Sequence, residues 1–307
     1  MTSNYYIENS VSSVTAWSTA QIPFEPKDWL LAFRDQLKSA IAGLHSGGGK
    51  ILYAAYGSAV IKYADVENVL IYNIGPAQLS DVTKNGLVFR RFYEISRACP
   101  VELSSPPTHQ YEYSLVDGER LSIEAQRTRP LASLSFDLTA SALHSAATVW
   151  YAAKKGSITL AQQHHTEGPW GMFITINSSS DSPIACSKIV KPLIDGIASA
   201  LHCHDGSNMD YLAKQLAKNL GLDDDSSVRS LLQDGGYALF GQTTLLRRYR
   251  NNLQWYPKDD RCTYCLIRCL YGLRTKGLGI SALVFDTRRQ DAVLSDISWD
   301  PPSEAAT

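Results

Sequence analysis

The segment from Gly168 to Gly206 constrains the fold of this chain more than any other part of its sequence. An apolar run from Met172 to Ile176 is followed by a polar loop and then by a helical pattern. In that pattern, apolar residues recur at helical spacing, at Ile194, Ile197, Ala198 and Leu201. The segment therefore predicts a strand, a loop and a helix, and the helix also carries a stripe of polar residues.

The rest of the chain combines one amphipathic helix, many short strands and a later group of helices. The first helix covers Pro26 to His45, and its apolar face consists of Trp29, Leu30, Phe33, Leu37, Ile41 and Leu44. Strands are expected at 50–56, 69–74, 86–95, 109–116, 121–127, 157–161, 170–176, 243–249, 261–271 and 280–285. Further helices are expected at 138–153, 189–202 and 209–220, with a short one ending at Leu232.

This order of elements predicts an α+β fold, with a mainly antiparallel or mixed sheet packed against the N-terminal helix and a central-to-C-terminal helical segment. Residues 1–24 are polar and predict an irregular N-terminal segment. Residues 25–299 are expected to form one large α+β domain, and a subdivision near 140–156 is left open. Residues 300–307 predict a flexible tail.

Composition indicates a folded protein of the cytoplasm. The formal net charge is −1, so no overall field attracts DNA or a membrane surface. No apolar stretch approaches the roughly 20 residues that span a bilayer, and the first residues lack the pattern of a signal peptide. The six cysteines are too few for a disulfide scaffold in 307 residues, which favours reduced thiols.

The polar stripe of the helix that follows the 170–176 strand is the first candidate site. Lys191, Asp195, Ser199 and His202 are spaced by four, four and three residues. If Pro192 occupies the first helical position, Asp195 lies near the helix N-terminus and His202 near its C-terminus, where the helix dipole favours these charges. One interpretation is therefore a solvated face. In the other, Asp195 binds a metal or acts as a base, and Lys191 holds a phosphate.

The same helix resembles part of the Holliday-junction resolvases of the RusA type. In that family a strand and a loop lead into a helix that starts with Asp-Leu-Asp-Asn, and an acidic pair holds a divalent metal beside a DNA phosphate. Leu193-Ile194-Asp195-Gly196 is similar to that start, with leucine in place of the first aspartate and glycine in place of the asparagine. Asp223-Asp224-Asp225 resembles the acidic pair that follows, at a longer spacing. The resemblance implies a metal role for Asp195, but it covers only a small part of the chain and does not assign the chain to that family.

Asp65 and Glu67 form the second candidate site. At the start of a strand, these two side chains would point to the same face. Two carboxylates spaced in this way can chelate a hard divalent cation such as Mg²⁺ or Mn²⁺, and their repulsion would raise one pKa. We therefore expect a metal site formed by Asp65, Glu67 and Asp195, with Lys191 as a fourth catalytic residue. The alternative is a solvent-facing entrance to the strand.

Two other motifs predict less. Cys262 and Cys265 have the spacing of a zinc ligand pair, but no second pair exists and, on a strand, Cys262 would point away from Cys265 and Cys269. Buried thiols are therefore expected, and a zinc site is not. The cluster from His202 to Asp205 offers two histidines as ligands. The sequence contains no motif for a nucleotide cofactor.

A basic segment near residue 250 is the candidate nucleic-acid interface. Arg247, Arg248 and Arg250 can bind phosphate, while Tyr249 or Trp255 can stack on a base. The alternative interpretation is an ordinary strand edge, whose charge is partly cancelled by the acidic residues 259 and 260.

Three functions follow from these candidate sites. The first is a nucleic-acid-directed protein, in the form of a metal-dependent phosphodiesterase or a nuclease-like subunit. The second is a non-catalytic subunit that binds another protein in a larger complex. The third is an enzyme of small-molecule metabolism that uses the cluster from His202 to Asp205. Convergence of Asp65, Glu67 and Asp195 would favour catalysis, whereas separate positions would favour the non-catalytic subunit.

Overall fold

The computed structural model describes residues 3–45, 49–61, 64–118, 129–164, 168–250, 252–273 and 277–287. Within these residues the chain forms a ten-stranded mixed sheet and five α-helices. The predicted α+β fold and the mainly antiparallel or mixed sheet are confirmed. None of the described helices is both long enough and apolar enough to cross a membrane.

In chain order, the strands of the large sheet are β1 (Tyr5–Asn9), β2 (Ser13–Ser18), β3 (Ile51–Gly57), β4 (Gly86–Phe92), β5 (His109–Val116), β6 (Arg129–Leu138), β7 (Ser157–Leu160), β8 (Trp170–Ser178), β13 (Cys262–Leu270) and β14 (Leu278–Asp286). Across the sheet they have the order β1-β2-β5-β3-β4-β13-β8-β14-β6-β7. The pairs β3–β4 and β8–β13 are parallel, and the other pairs of this sheet are antiparallel. Two short pairs lie outside it, β9 (Cys203–His204) with β10 (Gln242–Thr243), and β11 (Leu246–Tyr249) with β12 (Asn252–Trp255).

The helices pack on one face of the large sheet. They are α1 (Asp28–Ala42), α2 (Ala146–Lys155), α3 (Cys186–Ala200), α4 (Met209–Leu220) and α5 (Ser226–Gln233), and all five contribute buried residues to the main core. Because side chains alternate along a strand, Met172 and Ile174 of β8 point into this core, while Phe173 lies on the opposite face and stacks on Phe285 at a centroid distance of 4.4 Å.

Several strand predictions differ from the structure. The predicted strand at 243–249 is interrupted, because β10 ends at Thr243 and β11 begins at Leu246. The N-terminal segment predicted to be irregular contains β1 and β2, an antiparallel hairpin at the sheet edge in which Val14 and Ala16 are buried. The predicted strand at 69–74 is instead a π-helical turn, Asn68–Tyr72. Strand β6 was not predicted, although Leu134 and Phe136 alternate with serines at the period of two expected for a strand. The predicted strand at 121–127 lies outside the described residues.

Two helix predictions need new boundaries. The helix predicted at 138–153 begins later, because Leu138 ends β6 and a short 3-10 turn, Ala140–His144, precedes α2. Helix α3 begins at Cys186, so Pro192 lies inside the helix and not at its first position. A proline inside a helix removes one intrahelical hydrogen bond.

Candidate functional site

Asp65 and Glu67 come together through a helical turn and not through a strand. Val66 and Glu67 begin the turn, which continues as the π-helical turn Asn68–Tyr72. Asp65 precedes it and accepts hydrogen bonds from the Asn68 backbone N–H, at 3.2 Å, and from the Asn68 side-chain amide. An aspartate at this position satisfies backbone donors that a new helical turn leaves without partners. The local capping therefore overrides the strand tendency of the apolar residues that follow.

Lys191 and Asp195 occupy neighbouring turns of α3, and their Nζ and Oδ1 atoms are 3.3 Å apart. Asp195 is the tenth residue of the helix, so it is not near the N-terminus as predicted, and the dipole interpretation is wrong. The solvated-face interpretation is also wrong, because Asp195, Ser199 and His202 are all buried. These three residues of the polar stripe face the protein interior, whereas Lys191 is partly exposed.

Asp259 is the site residue that the sequence analysis missed. It begins the 3-10 turn Asp259–Arg261, just before β13. The preceding segment is tied to the end of α3, because His202 Nε2 lies 2.9 Å from the carbonyl oxygen of Pro257. The only signal in the sequence was an acidic pair directly before a buried strand, and it was interpreted as cancelling the charge of the arginines.

Four carboxylates surround the ammonium group of Lys191. Its Nζ lies 3.4 Å from Asp65 Oδ2, 3.3 Å from Glu67 Oε1, 3.3 Å from Asp195 Oδ1 and 2.7 Å from Asp259 Oδ2. The four predicted catalytic residues therefore converge, and Asp259 joins them. If every group were ionised, four negative charges and one positive charge would leave a net charge of −3 in a small volume.

The site lies at one end of the large sheet. Strands β3 and β4 are parallel and end there, and β13, antiparallel to β4, begins there. Phe89 of β4, Ile194 of α3 and Cys262 of β13 line a small cleft together with Asp65, Val66, Glu67 and Asp259. Apolar walls lower the local dielectric, which strengthens every interaction between charges in the cleft.

Glu67 is the most deeply buried of the four acids, with 2% of its side chain exposed. Neither of its carboxylate oxygens accepts a hydrogen bond from the described residues. Burial raises the pKa of Glu67 well above its usual value of 4.5, while Lys191 opposes the shift and the neighbouring acids add to it. Leaving a buried polar group unsatisfied costs about 1–3 kcal/mol, and more for a charged group. A proton or a cation at this carboxylate therefore stabilises the site.

The other ionisable groups of the cluster are shifted for the same reasons. Burial raises the pKa of Asp65, and the charge of Asp259 adds to the shift. Burial also raises the pKa of Asp195 to about 7, against the opposing charge of Lys191. For Lys191, burial disfavours the charged form, but the four carboxylates outweigh it and raise the pKa of this amine above its usual range. The lysine is therefore a permanent cation at neutral pH.

Three of the acids could bind a divalent cation. One carboxylate oxygen each from Asp65, Glu67 and Asp259 lies within 4.8 Å of the other two. Oxygens that share a cation are at most twice the metal–oxygen distance apart, which is about 4.2 Å for Mg²⁺ and about 4.6–5.2 Å for Ca²⁺. A limit of 4.8 Å fits a cation of the size of Ca²⁺, whereas Mg²⁺ requires the three oxygens to lie within about 4.2 Å of one another. The predicted set contained Asp195 in place of Asp259, whereas in the structure Asp195 contacts Lys191 on the side of α3.

The positions that depart from the resolvase pattern have a packing role. Leu193 is fully buried in the main core. A Cβ atom on Gly196 would lie 2.5 Å from Val149 Cγ1, so glycine allows α2 and α3 to approach closely.

The two aspartates that resemble the second acidic pair, Asp224 and Asp225, lie at the start of α5. Asp224 accepts a 3.2 Å hydrogen bond from the Ser226 backbone N–H, and Asp225 pairs with Arg229 at 3.5 Å.

In the other candidate sites, Cys262, Cys265, His202 and His204 are buried in the protein interior. A register shift between Cys262 and Tyr264 places Cys262 on the same face as Cys265, which corrects the predicted orientation. His202 lies between two backbone carbonyls, with Nδ1 3.2 Å from the oxygen of Gly241 in addition to its contact with Pro257. Burial lowers the pKa of His202 to about 4. A neutral imidazole donates a hydrogen bond to only one of these two carbonyls, and the buried ring lies between the two loops.

The predicted nucleic-acid interface lies on the β11–β12 hairpin. Arg247, Arg248, Tyr249 and Arg250 are exposed there. Trp255 is half-buried and packs against Trp150 of α2, with ring centroids 5.7 Å apart, so it belongs to the core and not to the exposed surface.

Sequence and structure comparisons with known proteins give no match to this chain, whether with protein families, with curated proteins or with solved structures.

Proposed function

We propose that this protein hydrolyses phosphodiester bonds of nucleic acid with the aid of Mg²⁺ or Mn²⁺. The observation that carries the proposal is the convergence of Asp65, Glu67 and Asp259 beside Lys191. Carboxylate oxygens are the ligands that these hard cations prefer. A bound cation would polarise a phosphate oxygen and lower the pKa of a coordinated water. A lysine amine adds a point charge for the phosphate.

Each residue of the cluster has a distinct role in this proposal. Asp65, Glu67 and Asp259 hold the cation. Lys191 neutralises the phosphate, and Asp195, one helical turn further along α3, orients the lysine at 3.3 Å. A buried lysine without such a partner would lose its proton more readily, because burial disfavours the ammonium form.

In this proposal, the substrate approaches the more exposed side of the cluster. The side chains of Asp65 and Lys191 are each 27% exposed and that of Asp259 is 18% exposed, whereas Glu67 is almost completely buried. A phosphate would therefore approach over Asp65, Lys191 and Asp259, and Glu67 would hold the cation from below. The partial exposure also distinguishes this cluster from a fully internal ion-pair network.

Cation binding and hydrolysis can be tested together. Thermal unfolding is measured with Mg²⁺, with Mn²⁺ and with a chelator, for wild type, Glu67→Gln and Asp259→Asn. Asp35→Asn is the matched control, because among the described residues this exposed acid pairs with helix neighbours in α1. Hydrolysis of bis(p-nitrophenyl) phosphate and of labelled single-stranded, duplex and branched nucleic acids is followed in parallel. We expect cation-dependent stabilisation and cleavage in wild type and in the control, and neither in the two site variants.

The opposite result would support the non-catalytic function. If neither cation raises the unfolding temperature and no phosphodiester is cleaved, Lys191 is a structural counter-ion for the four acids. The protein would then be an assembly subunit that presents its surface to another protein.

A further inference from the structure

The chain between Asp234 and Asp259 carries an excess of positive charge, and in sequence it ends at the candidate metal site. Residues 235–258 contain no aspartate or glutamate, whereas they include Arg247, Arg248, Arg250 and Lys258. The formal charge of this segment is therefore +4, in a chain whose formal net charge is −1. The acidic site begins at the next residue, Asp259.

The three hairpin arginines each lie over a tyrosine ring. The guanidinium carbon is 4.3 Å from the ring centroid in the pair Arg247–Tyr256, 5.1 Å in Arg248–Tyr211 and 5.4 Å in Arg250–Tyr249. The tyrosines remain partly open to solvent, with 36% of Tyr211, 54% of Tyr249 and 47% of Tyr256 exposed. We call these six residues the arginine–tyrosine surface.

Helix α4 extends this surface with two more cations. Lys214 and Lys218 follow Tyr211 by three and seven residues, so all three lie on one face of the helix, and both lysines are exposed. The nearby acid Asp210 is engaged by Arg229, whose Nη1 lies 2.6 Å from Asp210 Oδ1. Asp205 also lies beside the hairpin, where it accepts a hydrogen bond from the Thr244 hydroxyl, so acids offset part of this positive charge.

We infer that the arginine–tyrosine surface binds single-stranded nucleic acid and delivers it to the cation site, an inference that rests on the proposed function. Arginine and lysine bind the phosphates, and an exposed aromatic ring stacks on an unpaired base. In a duplex the base faces are already stacked on one another, so no base face is available for stacking on the tyrosine rings. The aromatic rings also distinguish this ligand from a polyanion without bases, for which charge alone would suffice.

Arg250 provides a variant that separates binding from folding. It has φ = 55° at the tip of the hairpin, a left-handed conformation that asparagine adopts more readily than arginine. Arg250→Asn should therefore leave the unfolding temperature unchanged or raise it, while it removes one phosphate contact. A loss of binding in this variant could not be attributed to a damaged fold.

The test is fluorescence anisotropy of the full-length protein with a labelled thymidine 20-mer, a 20-base-pair duplex and inorganic polyphosphate, over a series of salt concentrations. We expect the single strand to bind at least about tenfold more tightly than the duplex, because base–aromatic stacking favours unpaired bases. Arg248→Ala and Arg250→Asn should each reduce the slope of log affinity against log salt by about 0.7. Tyr249→Leu should weaken single-strand binding and leave polyphosphate binding unchanged. Lys84→Ala, an exposed cation outside this surface, is the control.

Two outcomes would overturn the inference. One is equal affinity for the single strand, the duplex and polyphosphate, and the other is single-strand binding that the surface variants do not change. Hydrolysis of bis(p-nitrophenyl) phosphate tests the proposed function separately, because this small substrate depends on the acids and not on the hairpin. If the surface variants keep this hydrolysis and also bind the single strand as wild type does, the inference fails while the proposed function stands. Strand binding without any cation-dependent hydrolysis would refute the proposed function alone.

Discussion

Lys191 and Asp259 are 68 residues apart in the chain, and their Nζ and Oδ2 atoms are separated by 2.7 Å. This is the shortest of the four contacts that the lysine makes with acids. Lys191 also contacts Asp65 and Glu67, the other two acids of the candidate cation site, so a cation bound there would compete with the ammonium group for the same three carboxylates. The lysine therefore sets how strongly the site attracts a second positive charge.

Replacing Lys191 tests whether its charge weakens the attraction of the site for a cation. In Lys191→Met the four carboxylates lose their common counter-ion, so their repulsion grows and the folded state loses stability as they ionise. We expect a lower unfolding temperature at pH 8 than at pH 6 without added cation, and a larger increase with Mn²⁺ than in wild type. Lys84→Met, at an exposed position, should show neither effect. Thermal unfolding with a Mn²⁺ titration measures both, and an unchanged Mn²⁺ response would show that the lysine does not share the site.

Asp195 predicts a pH dependence of stability. Its pKa in the folded protein is about 7, against an ordinary value of 3.8. Between these values the folded protein holds a proton that the unfolded chain has released, so the free energy of unfolding falls as the pH rises through this window. Asp195→Asn removes this dependence, and its cation-free stability at pH 8 should equal or exceed that of wild type. Urea unfolding at pH 5 and pH 8 measures the difference. A variant that is less stable than wild type at pH 8 would show that the ionised carboxylate stabilises the fold.

The apolar face of α1 predicts a large difference between two leucines of the same helix. Leu37 is fully buried, whereas Leu31 is 39% exposed. Leu37→Ala should lower the free energy of unfolding by about 2–5 kcal/mol, because it leaves a cavity in the core. Leu31→Ala should change it by less than about 0.5 kcal/mol. Chemical denaturation of both variants provides the measurement, and equal effects would contradict the packing of α1 against the sheet.

The close contact between α2 and α3 predicts an effect of adding one methyl group. The Cβ atom in Gly196→Ala would overlap Val149, which forces the helices apart beside Asp195. We expect a loss of about 1–3 kcal/mol, as for other overpacked positions. Gly235→Ala is the matched control, since its added Cβ would meet no atom within 4 Å. Similar stabilities for the two variants would mean that the helices separate at little cost.

The cysteines predict a thiol count. All six lie within the described residues, and none of them forms a disulfide there. The Sγ atoms of Cys186 and Cys269 are nevertheless 3.5 Å apart in the core. Titration of the unfolded, unreduced protein should find six thiols. A count of four thiols would indicate that Cys186 and Cys269 form a disulfide. In that case Cys186→Ser, which has five cysteines, should give a count of five free thiols.

Local patterns in the sequence were sufficient for many elements of the fold. The helix at 209–220 and the strand at 109–116 have the boundaries that were predicted. Their apolar residues repeat at the period of one structure only, and clear turn signals flank them. The pattern failed at residues 69–74, where an apolar, β-branched run fits a strand equally well, and the capping side chain of Asp65 decides for a helical turn.

The sequence by itself determined the α+β class, most strands and helices, and the identity of Asp65, Glu67, Lys191 and Asp195 as ionisable residues in unusual positions. Only the tertiary structure decided that these four meet, that Asp259 joins them, and that Trp255 faces the core. The physical reason is that periodicity records which face of an element is buried, but it does not record what lies opposite that face. Contacts between residues 65, 191 and 259 depend on how strands β3, β4 and β13 are ordered in the sheet, and that order is set by packing across the whole chain.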